Sequence, residues 1–323
     1  MEKLIFTHRK YRNYVFVDWD MSSVCNYDCH YCNEEIHDGK VKFPDIDVAK
    51  KLVDKINLEY DGVKDYAYFN LLGGEPTIWK HFEEFSNYVK KDNKKNLLQI
   101  LTNGSRSLSW WKLNAQFIDK AIVSVHVANC DIKKLVSKFN QIVNEIDIDF
   151  QLCMDITIFD KCLDYYNYAY DNLDSKIKLR PKALKILLGG RDLMPYTNEQ
   201  KRIMQNLPET HGNQSREYGS QMMQDDKPVD IVKLITNEEN NWENWACWIG
   251  IDSINITRYG DVKIGSWCNP HLILGNINNN LDFKIPMKPV RCTYNTCGCL
   301  ADVHTTKKKY YDGEMIEGHF RAT

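Results

Sequence analysis

Between Tyr14 and Leu188 short apolar runs of strand length alternate with amphipathic stretches of helical period, and this alternation constrains the fold of the 323-residue chain more than any other feature. Strand, helical crossover and strand in repetition is the signature of βαβ units, which build a parallel sheet covered by helices. The strand segments are YVFVDWDMS from Tyr14, YAYFNLL from Tyr66, LLQILT from Leu97, AIVSVHV from Ala121, FQLCMDITI from Phe150, and a sixth within IKLRPKALKILL from Ile177. Between them, a helix is expected over Asp45–Tyr60, with Val48, Leu52, Val53 and Ile56 on one face and Asp45 or Asp47 as its cap. Phe82, Phe85 and Val89 stripe the next one. Ile132, Leu135, Val136, Phe139, Ile142, Val143 and Ile146 stripe a third.

Residues 1–188 therefore read as one α/β domain of six βα units. Residues 189–244 are polar, with one helix expected at the capping pattern Thr197–Gln200, and read as a linker or lid. Residues 245–323 form a small cysteine-rich module. Functional groups in α/β sheets gather at the carboxyl ends of the parallel strands. Those ends here carry CNYDCHYCN (Cys25–Asn33), GGEP (Gly73–Pro76), TNG (Thr102–Gly104) and the polar pair Ser124 and His126.

Charge and cysteine usage narrow the function class. Lys and Arg total 42 against 44 Asp and Glu, so the chain lacks the basic excess of a general nucleic-acid binder. The run Lys307–Lys309 reads as a solvated loop rather than a phosphate patch. There is no apolar segment of signal-peptide or membrane-span type, so a cytoplasmic location is expected, with neither nucleic acid nor membrane as partner. Eleven cysteines in a reducing compartment point to metal or iron-sulfur ligation rather than disulfides. Cys130, Cys153 and Cys162 fall in apolar segments and read as core.

Cys25, Cys29 and Cys32 offer three thiolates with no fourth nearby. Taken alone, CxxxCxxC suits zinc with a borrowed ligand such as His30 or His37, and the paired glycines of GGEP suit a tight turn. Zinc has no use for an acidic residue beside paired glycines. Together, on consecutive strand ends, Cys25-Cys29-Cys32, Gly73-Gly74-Glu75-Pro76, Thr102-Asn103-Gly104 and Ser124-Val125-His126 resemble the radical S-adenosylmethionine (radical SAM) superfamily over roughly Val15–Leu188.

The resemblance implies a partial (β/α)6 TIM-like barrel, and a 4Fe-4S cluster on Cys25, Cys29 and Cys32 whose fourth iron stays open for S-adenosylmethionine. In such enzymes, reductive cleavage of S-adenosylmethionine gives a 5'-deoxyadenosyl radical. It further implies that Gly73 and Gly74 let backbone approach the methionine portion, that Glu75 meets the methionine ammonium, that Tyr31 lies near the adenine and that Asn103 and Pro76 belong to the cofactor rim. Ser124 would meet a ribose hydroxyl. His126 either lines the same pocket or is satisfied within its strand, and Arg180 either meets the cofactor carboxylate or makes an ion pair.

Cys247 and Cys268 flank an expected hairpin whose turn holds Tyr259, Gly260 and Asp261, and Cys292, Cys297 and Cys299 follow. This region resembles the SPASM or Twitch extension of radical SAM enzymes and implies a second, auxiliary 4Fe-4S cluster, with a zinc knuckle as the alternative. The expected ligands are Cys247, Cys268, Cys297 and Cys299, with Cys292 as a substitute. Expected function is hydrogen abstraction from a small polar metabolite, leading to oxidation or rearrangement, with a flavodoxin or ferredoxin as reductant. A maturase that crosslinks or epimerises a ribosomal peptide is the alternative, and a non-catalytic zinc-binding protein the remote one. Trp242, Trp245 and Trp248 either pack or help form the substrate pocket.

Overall fold

The computed structural model describes residues 5–8, 13–91, 95–186, 192–212, 222–224, 227–229, 234, 239–266, 268, 273–279, 281–297 and 300–317. The six expected strands are present as β2 (Tyr14–Asp20), β3 (Tyr66–Leu72), β4 (Leu97–Thr102), β5 (Lys120–Val125), β6 (Asp147–Met154) and β7 (Lys178–Ala183), following a short β1 (Ile5–His8). They pair in sequence order and in parallel. The result is the partial TIM-like α/β barrel that the resemblance implies, built on the parallel βα units that the alternation predicts.

The side-chain period of two divides each strand between two faces. Val15, Val17 and Trp19 of β2, Ala67, Phe69 and Leu71 of β3, Leu98 and Ile100 of β4, Ala121, Val123 and Val125 of β5, and Ile148, Phe150 and Leu152 of β6 share the core with the helices. Burying each such large side chain contributes roughly 1.5–3 kcal/mol. The covering helices are α2 (Ile46–Glu59), α3 (Phe82–Lys90), α4 (Leu108–Asn114), α5 (Ile132–Asn140) and α6 (Phe159–Asn172), after a one-turn α1 (Glu34–His37). Asp45 caps α2 by accepting from the Asp47 amide at 2.8 Å. Helix α5 stops at Asn140, although Ile142, Val143 and Ile146 continue the apolar stripe and stay buried in the turns that follow. The stripe marks burial, and burial outlasts the helix.

The opposite face is the barrel's interior. At its amino-terminal end Tyr14, Phe16, Tyr66, Tyr68 and Leu97 form a separate apolar cluster, with the Tyr14 and Tyr68 rings 5.2 Å apart edge to face. Above this plug the lining turns polar. Tyr68 donates to Gln99 Oε1 at 2.9 Å, Gln99 Nε2 to Asn70 Oδ1 at 2.7 Å, and Asn70 Nδ2 to Asp18 Oδ1 at 2.7 Å.

The remaining elements are α7 (Asn198–Asn206), which carries the expected capping box at Thr197, β8 (Thr210–His211), β9 (Met222–Gln224), β10 (Lys227–Val229), β11 (Ala246–Cys247), β12 (Ser253–Ile256), β13 (Asp261–Lys263), β14 (Ile273–Asn276), β15 (Val290–Arg291), α8 (Leu300–Val303) and β16 (Lys307–Lys308). The expected hairpin is β12–β13, and its first strand does more than pair with its second. β12 lies parallel to β2, matching Ser253 to Phe16 and Ile256 to Trp19, and so adds a seventh parallel strand to the barrel sheet. A second sheet runs β10-β9-β1-β16-β11-β15. It corrects the solvated-loop reading of Lys307–Lys309: Lys307 and Lys308 form β16, and Lys307 is buried. No helix among the described residues is long and apolar enough to cross a membrane.

Candidate functional site

The cysteine loop leaves β2 after Asp20 and is fixed by its neighbours before any ligand is considered. The Met21 amide donates to Leu72 O at 2.8 Å, the Glu75 amide to Val24 O at 2.9 Å, and the Ser23 amide to Val41 O at 2.9 Å. Within the loop the Cys32 amide donates to Cys29 O at 2.8 Å. Asn129, after β5, donates to Cys29 Sγ at 3.2 Å. Burial raises all three thiols: Cys29 reaches about 12, while Cys25 and Cys32 rise as well. Three thiolates in such a pocket need positive charge beside them, which an iron cluster brings.

The backbone of GGEP is packed closely against the end of β2 and the cysteine loop. Gly73 and Gly74 adopt φ of +88° and +49°. A Cβ on Gly73 would stand 1.9 Å from Asp20 Oδ1, and one on Gly74 2.1 Å from Val24 O. On the side where a Cβ would stand, the clearance is thus taken up by the end of β2 and the cysteine loop. Glu75 is 0% exposed, and its carboxylate already accepts four hydrogen bonds. Oε1 accepts from the Thr77 amide at 3.1 Å, the Thr77 hydroxyl at 2.6 Å and the Thr102 hydroxyl at 2.7 Å; Oε2 accepts from the Asn103 amide at 2.6 Å. Burial raises its pKa, and these bonds oppose the rise. Glu75 therefore joins the ends of β3 and β4, and Pro76 opens the short helical turn that follows it.

Asn103 carries the link onward, its Nδ2 donating to Asn26 Oδ1 at 2.9 Å, while Asn26 donates to Ser105 at 2.9 Å. Tyr31 and His126 share a hydrogen bond of 2.6 Å between the phenol oxygen and Nδ1, with rings stacked at 5.9 Å. Burial and then the Lys182 charge push His126 down to about 4, so it is a neutral imidazole at pH 7. Ser124 is buried on the inner face, in register with Gln151 of β6. Arg180 bonds Asp149 at 3.0 Å and so makes the ion pair that the sequence left as one of its two readings.

Sequence reasoning missed Arg258, Asp20 and Asn129. Arg258 sits in the β12–β13 turn and grips Asp20 Oδ2 through Nε at 2.8 Å and Nη2 at 2.6 Å, while Nη1 donates to Glu35 O. Burial raises the Asp20 carboxyl, and Arg258 opposes that rise. Nothing in the local sequence of Arg258 signals a partner so distant.

At the other end of the chain Cys247, Cys268, Cys292 and Cys297 are mutual electrostatic neighbours. Cys299 lies outside the described residues. Burial is the first cause of every raised thiol here, taking Cys247 to about 12. Asn240 and Cys297 exchange two hydrogen bonds, 3.0 Å through the Cys297 amide and 2.7 Å through its carbonyl. The Cys292 amide donates to Trp245 O at 2.8 Å. Trp242 is buried beside Cys297 and reads as packing. Among the described residues no three His, Cys, Asp or Glu side chains converge on a single-ion site; the thiolates of a cluster bind different irons and do not need to. Cys153 and Cys162 are buried as expected, and Cys130 packs against the core.

Residues 19–147 match the family model of the Radical SAM superfamily. This part of the chain is a radical SAM domain. Enzymes of this superfamily use a 4Fe-4S cluster and S-adenosylmethionine. The fold is similar to that of native anSMEcpe with bound AdoMet, at 15% identity and a TM-score of 0.52, over 83% of this chain and 79% of that one. BtrN in complex with AdoMet and 2-DOIA aligns at 15% identity and a TM-score of 0.42, over 83% and 79% of the two chains. Streptococcus suis SuiB bound to S-adenosylmethionine aligns at 11% identity and 0.49, over 84% and 65%. No curated protein matches the chain in sequence. The radical SAM domain holds the cysteine loop, GGEP, TNG and the β5 pair at the carboxyl ends of its strands.

Proposed function

We propose that the chain is a radical SAM enzyme that acts on a small polar metabolite held inside the barrel. The observation that carries this reading is the inner face itself: an aromatic plug at one end, then Asp18, Asn70, Gln99, Ser124, Gln151 and Arg180 on successive strands, with the cysteine loop at the open rim. Such a lining offers donors and acceptors of both charge signs to a hydroxylated or amino-bearing molecule and little apolar surface to a hydrophobic one.

Cys25, Cys29 and Cys32 would hold the 4Fe-4S cluster, which, when S-adenosylmethionine is bound to it and an electron arrives from a flavodoxin or ferredoxin, supplies a 5'-deoxyadenosyl radical for hydrogen abstraction. The rest is the work of this chain's residues. Glu75, Asn103 and Asn26 hold the cysteine loop against two strand ends, which fixes the thiols before loading. The Tyr31–His126 pair presents a stacked aromatic surface beside that loop for the adenine. Because His126 is neutral there, it places no cation against the sulfonium. Ser124 and the inner strand ends hold the substrate beneath. Cys247, Cys268 and Cys297 would ligate an auxiliary 4Fe-4S cluster; the fourth thiolate would come from Cys299 or, as its substitute, from Cys292, an electrostatic neighbour of the other three.

Replacing Cys25, Cys29 and Cys32 together by alanine tests the reading. Reductive cleavage of S-adenosylmethionine to 5'-deoxyadenosine should fall to background, and iron should drop from about eight to about four per chain. Undiminished 5'-deoxyadenosine in that variant would sink the proposal. Incubation of the wild type with deuterated small polyols and amino sugars, and separately with peptides, assigns the substrate class. Deuterium reaching 5'-deoxyadenosine from the small molecules is the expected result, and transfer from peptides alone would favour the maturase.

A further inference from the structure

Lysine is almost never fully buried unless its charge is matched, yet Lys307 is 1% exposed. It sits on β16 in direct register with Cys247 of β11. Its ammonium donates to three main-chain carbonyls, Asp302 O at 2.9 Å, Val303 O at 3.2 Å and Thr305 O at 3.0 Å. It also stands 4.5 Å from the centre of the Trp242 ring, which is itself packed with Cys297 and Val303. Carbonyl dipoles and a ring face orient an ammonium without neutralising it. Among the groups around Lys307, the thiols of Cys247, Cys297, Cys292 and Cys268 are those whose negative charge would most favour its ammonium. Those thiols reach it from β11, from the chain after β15, and from the segment after β13. The carboxylate of Asp302 faces the same cysteines and accepts from the Ser266 amide at 3.1 Å, and the neighbouring His304 is neutral, pushed down to about 4 by burial and then by Lys307. A cation has been built into the wall of a cysteine site and held there from three sides.

We infer that Lys307 is the fixed counter-charge of the C-terminal cysteine site, and that it raises the reduction potential of the cluster those cysteines hold. The inference rests on the auxiliary-cluster reading. One-electron reduction adds one negative charge to a cluster already carrying several thiolates. A buried ammonium beside it favours that added charge, because the dry surroundings screen it little. The electron comes from dithionite in the test below, and no bond forms or breaks.

The experiment uses the full-length chain carrying Cys25, Cys29 and Cys32 as alanine, reconstituted anaerobically so that the C-terminal cluster is alone. Iron and sulfide content and the electron paramagnetic resonance of the reduced state are read first. Absence of about four irons defeats the auxiliary-cluster reading, and this inference with it. With the cluster present, potentiometric titration against dithionite compares Lys307→Met and Lys307→Arg with the parent. The methionine variant should show a reduced-to-oxidised ratio at least tenfold lower at fixed potential, about 59 mV for one electron. The arginine variant should stay within threefold of the parent. A methionine variant with an unchanged potential overturns the inference while leaving the cluster reading intact. Should Lys307→Met give no soluble protein, Lys307→Arg decides: a cluster displaced by tenfold or more despite the retained charge overturns it, as does failure of both variants to fold, which would make Lys307 a part of the fold alone.

Discussion

Glu75 is the residue whose meaning the structure alters most. A carboxylate beside paired glycines reads, from sequence, as a hand held out to a ligand; in the fold it also collects Thr77, Thr102 and Asn103. Removing it strands four buried donors, each costing roughly 1–3 kcal/mol when left without an acceptor. Glu75→Ala should therefore lose about 3 kcal/mol or more in urea unfolding, at an unchanged dependence on denaturant. A stability within about 0.5 kcal/mol of wild type would show that the network contributes nothing. Asp18 makes the opposite kind of prediction. Burial, eased by Asn70, raises its carboxyl to about 6, so the folded chain binds this proton more tightly than the unfolded one. The stability it contributes is present at about pH 4 and is lost as pH rises to about 6. Asp18→Asn has no such proton to lose. The difference between wild type and variant should shift by about 2 kcal/mol between pH 4 and pH 7, in the variant's favour at the higher pH. A flat difference across that range would move the titration to another group.

Among the elements, the β12–β13 hairpin acts on the cysteine loop from a distance. Arg258, in its turn, holds both Asp20 at the end of β2 and the Glu35 carbonyl in α1, so the loop between those points is clamped at each end. Arg258→Ala removes the clamp without touching a thiol. Iron bound at the Cys25 site should then leave several-fold faster to a chelator, with Arg258→Lys intermediate because one ammonium cannot replace a fork of donors; equal release rates for all three chains would rule the clamp out. This contact also marks where sequence reading ends. The strands from YVFVDWD to LLQILT were legible because period-two patterning and their bounding glycines and asparagines are local, and the cysteine loop was legible because its three thiols are adjacent. The Arg258–Asp20 pair spans 238 positions. Lys307 was misread for a related reason: three consecutive lysines look solvated until the sheet buries the first against Trp242 and Cys247.

At the scale of the molecule, the cysteine-rich module is part of the barrel wall. β2 has β3 on one side and β12 on the other, and the second pairing is as parallel as the first. Residues 253–256 lie in sequence between Cys247 and Cys268, so the strand that closes the edge of the radical SAM domain is carried by the segment that carries the second set of thiols. Ending the chain after Asn244 would uncover the ladder groups of Phe16–Trp19 and the flank of Val17 and Trp19, leaving an apolar edge of the kind that pairs with other chains. Residues 1–244 should accordingly be recovered mostly as aggregate, or melt at least several degrees below the full chain, even with Cys25, Cys29 and Cys32 intact. A soluble fragment with the full chain's melting temperature would mean that the module is merely tethered through 189–244. If the fragment fails as expected, the spacing of the two cysteine sites is set by a hydrogen-bonded strand ladder. An electron moving between them would then cross a distance that no linker motion can vary.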